Sequence, residues 1–158
     1  MFDKYGEFDS AEEINEAAKA QLEEGDLKAV MEIALENGID KEDAEDFIDG
    51  VVPELVTPLM AALGKLDVEA KELKTYEIME DWLSYIRLQC QEKETMARAV
   101  RKKGKSLKGC IAELLKWAFK NQHEVDAEIK KAAGVTRCTL GIPGMKRAKD
   151  IIKDYYIK

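Results

Sequence analysis

The residues best suited to a binding chemistry form a cationic run in the second half of the chain. Six cations lie within eleven positions: Arg98, Arg101, Lys102, Lys103, Lys105 and Lys108. Such a group could neutralise several phosphates of DNA or RNA with a strong salt dependence, or contact an acidic protein surface. A third interpretation is a solvated edge that balances acidic residues of the same fold. We therefore predict these six as partner-binding residues, with the partner left open.

A second candidate is the triplet Gly104, Lys105 and Ser106, which ends like a phosphate-binding loop. That loop requires another glycine five positions earlier and a preceding strand. Ala99 stands at that position, and the residues before Gly104 have a helical pattern. The triplet therefore does not predict a nucleotide site.

Catalytic and metal-binding patterns are missing elsewhere. His123 is the only histidine and has no nucleophile or orienting acid at a recognisable spacing. The acidic run 40–49 has Glu45 where a calcium loop needs its central glycine. Cys90, Cys110 and Cys138 form no CxxC pair and are odd in number, which argues against a zinc knuckle or a disulfide framework. We predict a protein that is not an enzyme and needs no cofactor or metal.

Charge is divided unevenly along the 158 residues, although the net value is only −7. Residues 1–60 contain 18 acidic against 4 basic side chains, a net charge of −14, and residues 96–158 contain 6 against 16, or +10. An acidic surface of this kind could imitate the phosphates of a nucleic acid and occupy a positively charged channel on a DNA-handling protein. The other interpretation is a set of ordinary solvated helices.

Helix start and stop signals organise the acidic part. Ser10 with Glu13 predicts a capping box, and Asp26 and Asp40 begin further helices. Glycines at positions 25, 38 and 50 end the three helices in turn. Gly64 is expected to close the next segment, and Asp67 to begin another helix. The first part therefore predicts short helices in tandem.

The remaining part predicts a helical core. Apolar residues at helical spacing mark central helices over Thr75–Gln91, with Tyr76 on the buried face, and over Ser106–Asn121, with Phe119 on the buried face. A short helix runs from Val125 to Ala133, the following VTRCTLGI is a loop or small hairpin arm, and a terminal helix spans Pro143–Ile157. The fold class is all-α: one compact multi-helix domain with acidic helices over residues 1–64 and a core over residues 65–158.

Location and assembly follow from composition. No apolar run approaches the roughly 20 residues of a membrane span, and the acidic N-terminal stretch is unlike a signal peptide. Together with the cysteine pattern, this predicts a cytoplasmic protein without membrane contact. The apolar helix faces are more numerous than one small core needs, which favours a homodimer.

The second half also resembles a known family. The stretch KGKSLKGCIAELLKWAFKNQ, then a short helix, a GIPG turn and the terminal RAKDIIKDYY, resembles the PcfK-like proteins of conjugative plasmids and phages. The likeness covers mainly Met96–Lys158, and the first part is similar to an extension found in relatives that inhibit the type II CRISPR effector nuclease. No functional residue is assigned in the matching motif, so none is transferred.

The resemblance implies an anti-CRISPR function carried by a mobile genetic element. The expected activity is binding to the guide-loaded effector nuclease in a bacterial cytoplasm, so that target DNA engagement or cleavage is blocked. The alternative is a nucleic-acid-binding accessory protein of conjugative plasmid transfer, which would use the six cations in direct nucleic-acid contact.

Overall fold

The computed structural model describes all residues from Met1 to Lys158, and its regular structure is helical apart from one short two-stranded ladder. In chain order the elements are α1 (Ala11–Glu23), α2 (Leu27–Glu36), α3 (Lys41–Ile48), α4 (Pro58–Leu73), α5 (Ile78–Glu92), α6 (Glu94–Arg101), α7 (Leu107–Lys120), β1 (His123–Glu124), α8 (Ala127–Ala133), β2 (Thr139–Leu140) and α9 (Met145–Ile157). The predicted all-α class is confirmed.

Local capping explains where the predicted helices begin. Ser10 accepts a hydrogen bond from the Glu13 amide, Asp26 accepts one from Ala29, and Ser106 accepts one from Gly109. Each bond satisfies an amide that has no partner within its own helix. The capping box at α1 differs from the prediction, because the Glu13 carboxylate accepts from the Asp9 amide rather than from Ser10. Asp40 precedes α3 without making a side-chain cap.

Two hydrophobic clusters form the interior. The smaller cluster joins α1, α2 and α3 to the beginning of α4, around Ile14, Ile33 and Phe47. The larger one joins α4, α5, α6, α7 and α9, around Trp82 and Leu114. Helix α4 contributes Ala61 to the first cluster and Ala62 and Leu66 to the second. The two halves of the chain are therefore packed on one shared helix.

The predicted break at Gly64 and the new start at Asp67 are wrong, because α4 continues through both positions. Gly64 lies against the turn after α2, where a β-carbon added to it would be 2.2 Å from the Asn37 carbonyl oxygen. The glycine allows close approach of two backbones instead of ending a helix. The boundary between residues 64 and 65 consequently lies inside α4. Pro58 begins this helix and does not kink it.

Two aromatic residues predicted in the core are exposed. Tyr76 is 65% exposed because Lys74 and Glu77 both have positive φ, which turns the chain before α5 begins at Ile78. Phe119 is 79% exposed on the last turn of α7, whose buried face is formed by Leu107, Cys110, Ile111, Leu114 and Ala118.

The predicted hairpin arm is present as a two-residue antiparallel ladder that pairs His123 with Leu140 and Glu124 with Thr139.

Candidate functional site

The six predicted cations do not form one surface. Arg101 is 1% exposed and lies between the two hydrophobic clusters. Its guanidinium donates to Asn37 Oδ1 at 2.8 Å, to the Phe8 carbonyl at 3.1 Å and to the Ala61 carbonyl at 3.4 Å. Burial lowers the pKa of Arg101 to about 10, so the side chain is still a cation at neutral pH. Arg101 is therefore an internal connector and is not accessible to a partner.

Arg98 and Lys105 are also engaged within the fold. Arg98 lies on the surface between Glu12 of α1, at 2.7 Å, and Glu94 of its own helix, at 2.8 Å. The hydrogen bond from Arg98 lowers the pKa of Glu12. Lys105 donates to the Tyr155 carbonyl at 2.7 Å and lies 5.0 Å from the centre of the Tyr155 ring. Half of the predicted site thus joins this part of the chain to α1, α2, α4 and α9.

Lys102, Lys103 and Lys108 remain as the available cations. Their side chains are exposed, and none makes a salt bridge or side-chain hydrogen bond. The backbone amide of Lys103, rather than its side chain, donates to Asp9 Oδ1 at 2.9 Å. The cationic surface is accordingly smaller than the sequence indicates. The triplet at Gly104 follows α6, as the helical pattern before it predicts, and Ser106 caps α7.

A buried lysine on α4, missed by the sequence interpretation, organises the cationic run. Lys65 is 1% exposed and donates to the carbonyls of Lys102 at 2.9 Å and Lys105 at 2.6 Å, which closes the turn between α6 and α7. Its charge is balanced by Glu7 at 2.7 Å. Burial lowers the pKa of Lys65, while the hydrogen bond that Lys65 donates to Glu7 opposes that effect.

Glu69 lies one helical turn after Lys65 and is a second buried ionisable residue of α4. It is 2% exposed, and its Oε2 accepts from the Leu107 amide at the beginning of α7. Its Oε1 has no hydrogen-bond partner. Burial raises the pKa of Glu69. Helical spacing is the sequence feature that could have indicated the burial of these residues. Lys65 and Glu69 lie on the same helical face as Ala61 and Leu66. Arg101 lies four positions after buried Ala97, on the same face of α6.

The acidic surface stays largely unpaired. On α1, Glu16 and Glu23 are exposed and make no salt bridge, and they share a face with Glu12. On α3, Glu42 and Asp46 are one turn apart, Asp49 follows at the end of the helix, and all three are exposed without a cation partner. We call these five unpaired residues, Glu16, Glu23, Glu42, Asp46 and Asp49, the acidic surface. Together with Glu24 and Asp40, which are also exposed and make no salt bridge, these residues give this half of the molecule a negative surface.

The remaining features concern metal ligands, membrane-spanning length, the histidine and the buried thiols. No group of three or more His, Cys, Asp or Glu side chains is arranged to hold a metal ion. None of the helices combines the length and the apolar character needed to cross a membrane. His123 is exposed on the short ladder, and Cys90 and Cys110 are buried in the larger hydrophobic cluster.

Comparison with known proteins identified no relative: no family model matches the chain, and no significant match was found among curated proteins or solved structures.

Proposed function

We propose that this protein is a non-enzymatic inhibitor that binds a guide-loaded type II CRISPR effector nuclease and blocks its engagement of target DNA. The acidic surface on α1 and α3 is the contact. The protein would act in the cytoplasm of a bacterial host and would need no cofactor. The target is suggested by the PcfK-like pattern of residues 96–158, and the mode of binding by the distribution of charge.

One observation carries the mode of binding. Half of the largest cationic group is used inside the fold, with Arg101 buried and Arg98 and Lys105 engaged. The carboxylates of the acidic surface, in contrast, face solvent without a cation partner. The exposed, unpaired charge in the first half of the molecule is thus negative. A negative surface fits a cationic protein channel better than it fits a nucleic acid.

A negative helical surface is suited to such a channel. The effector holds its guide–target heteroduplex in a positively charged channel and contacts the backbone rather than the base sequence. Carboxylates on α1 and α3, two helices of the same hydrophobic cluster, can replace phosphates there, and they would compete with DNA for the same lysines and arginines. The inhibition would consequently weaken as salt is raised, because exposed charge pairs are screened.

A cleavage assay tests this proposal directly. Purified effector with its guide is incubated with increasing amounts of the protein, and cutting of a matched duplex is measured. We expect inhibition by the wild type and a loss of about tenfold or more in potency for the double variant Asp46→Lys, Asp49→Lys, which changes the local charge by four units. The matched control is Glu92→Lys, Asp150→Lys, which makes the same change at exposed sites on α5 and α9. Full cutting at a large molar excess of wild type refutes the proposal.

The alternative function, a nucleic-acid-binding accessory protein of plasmid transfer, is favoured by the three free lysines. Lys102, Lys103 and Lys108 are close in sequence and could neutralise phosphates together. A titration on duplex and single-stranded DNA at two salt concentrations measures this. Binding that falls steeply with salt and is abolished by Lys102→Glu, Lys103→Glu and Lys108→Glu supports the alternative. Arg101 has to stay unchanged in this test, because its replacement would disturb the fold.

A further inference from the structure

Exposed apolar side chains are concentrated where α7 ends and α9 begins. Six of the thirteen large hydrophobic residues that are exposed lie between Phe119 and Met145. We call four of them, Phe119, Leu140, Ile142 and Met145, the corner patch. Leu140 is 65% exposed on a ladder whose two strands are both open to solvent, and α8 between the strands buries no residue. A grouping of this kind on a small protein indicates an interaction surface.

The backbone around the corner patch is tightly fixed. A β-carbon added to Gly141 would lie 2.4 Å from the Ala118 carbonyl oxygen, so the segment between Leu140 and Ile142 is pressed against the end of α7. The Gln122 side chain donates to Ala118 O at 2.8 Å and accepts from Thr139 Oγ1 at 2.9 Å. The patch is therefore held in place before any partner arrives, which lowers the cost of binding.

The charge around the corner patch is positive. Residues 119–147 contain six cations against three carboxylates, with His123 neutral. Lys120, Arg137 and Lys146 are exposed and make no salt bridge, and the Arg147 guanidinium lies 5.6 Å from the centre of the Trp117 ring. A partner should accordingly combine apolar side chains with negative charge.

The first half of the same chain presents that combination on α2. Leu27, Met31 and Leu35 follow one another at intervals of four and form a stripe along one flank of the helix, with Leu35 56% exposed and Met31 half-buried against the smaller hydrophobic cluster. We call these three residues the α2 stripe. The charge around the stripe is negative, because residues 23–41 contain six carboxylates, among them the exposed Glu23, Glu24 and Asp40, against the two cations Lys28 and Lys41.

We propose that the corner patch of one copy binds the α2 stripe of a second copy, head to tail. Apolar contact would supply the attraction, and the opposite charges around the two surfaces would set their orientation. A symmetric contact is disfavoured for reasons of charge. If the corner patches of two copies met, their cations would repel each other, and if the two α2 stripes met, their carboxylates would do so. Each copy keeps one surface free, so a heterologous contact of this kind can continue into rings or chains.

This inference does not rest on the proposed inhibition, because the residues changed to test it lie outside the acidic surface, of which only Glu23 also flanks the α2 stripe. The contact is small, because it uses one helix stripe and one corner, so association is expected to be weak and concentration-dependent. Sedimentation equilibrium or light scattering over a range of concentrations measures it. We expect the average mass to rise with concentration and to fall when salt is added.

Complementary variants provide the sharper experiment. Phe119→Glu, Leu140→Glu removes the corner patch, and Leu27→Lys, Leu35→Lys removes the α2 stripe; all four positions are exposed, so folding is preserved. Each variant alone should be monomeric, with self-association weakened about tenfold or more. An equimolar mixture should form a one-to-one dimer and nothing larger, because each variant retains the surface that the other lacks. The control is Leu88→Glu, an exposed leucine on α5, which should associate like the wild type.

Three results would overturn the proposal. The first is a wild type that stays monomeric up to its solubility limit. The second is a variant that still self-associates on its own, since a patch-on-patch contact survives loss of the α2 stripe and a stripe-on-stripe contact survives loss of the corner patch, or a pair of monomeric variants that do not combine when mixed. The third is a loss of association in Leu88→Glu, which would locate the contact elsewhere. Circular dichroism of every variant verifies that the helical fold is retained.

Discussion

The Arg101 guanidinium donates to the Asn37 side-chain carbonyl at 2.8 Å, and both residues are buried at the junction of the two hydrophobic clusters. Asn37 ends α2 and donates in turn to the Ile33 carbonyl at 2.8 Å. Arg101 ends α6, in the cationic half of the chain. The two halves are thus connected at this point by a buried cation and neutral oxygen acceptors.

The first prediction concerns Arg101. Replacement by Ala leaves the carbonyl oxygens of Asn37, Phe8 and Ala61 without their donor and opens a cavity, so the free energy of unfolding should fall by about 3–5 kcal/mol. Urea unfolding followed by circular dichroism measures the change. Lys103→Ala, two positions away and exposed, serves as the control and should cost less than about 0.5 kcal/mol. Equal midpoints for the two variants would mean that Arg101 does not connect the clusters.

The cationic run shows where sequence reasoning succeeds and where it stops. Ser106 as a cap and Gly104 as the preceding turn were predictable, because capping depends on residues only three positions apart. The burial of Arg101 depends on α2 and on the segment before α1, which lie far away in the chain. A charge run in the sequence does not reveal which of its members will find distant acceptors.

Gly64 shows a related limit. Glycine is typical both of helix ends and of close backbone contacts, and the local pattern cannot distinguish these uses. The contact with Asn37 and Gly38 decides the matter, and it exists only after α2 and α4 have packed. Likewise Tyr76 fits the helical spacing of α5, yet the positive φ of Glu77 excludes it from the helix.

The second prediction concerns this helix crossing. Gly64→Ala should lower the free energy of unfolding by at least about 2 kcal/mol, because the new methyl group meets backbone atoms that cannot move aside easily. The higher helix propensity of Ala offsets only about 1 kcal/mol. Thermal and urea unfolding report the difference. Gly144→Ala, where nothing lies within 4 Å of the added atom, should cost less than about 1 kcal/mol. A stabilised Gly64→Ala protein would contradict the close approach of α2 and α4.

The third prediction concerns pH and Glu69. Its folded-state pKa is raised above the unfolded value by burial, so its contribution to stability is present below about pH 4.5 and is lost as the pH rises through the folded-state pKa. Glu69→Gln cannot titrate and still accepts from the Leu107 amide through its side-chain oxygen. The free energy of unfolding of the variant minus that of the wild type should therefore increase from pH 4.5 towards neutrality. Parallel stability curves would show that Glu69 does not carry this pH dependence.

The fourth prediction concerns the three thiols. Burial raises the pKa of Cys90 and of Cys110 to about 12, so at pH 8 both are protonated as well as inaccessible, and neither should react with a thiol reagent while the protein is folded. Cys138 is only half-buried beside the short ladder and should react. Ellman's reagent should therefore release one equivalent of chromophore quickly, and the other two only when urea unfolds the chain. Cys138→Ser should abolish the fast phase and leave the slow one. Rapid reaction of two or more thiols in the native protein would contradict the packing of α5 and α7 in the larger hydrophobic cluster.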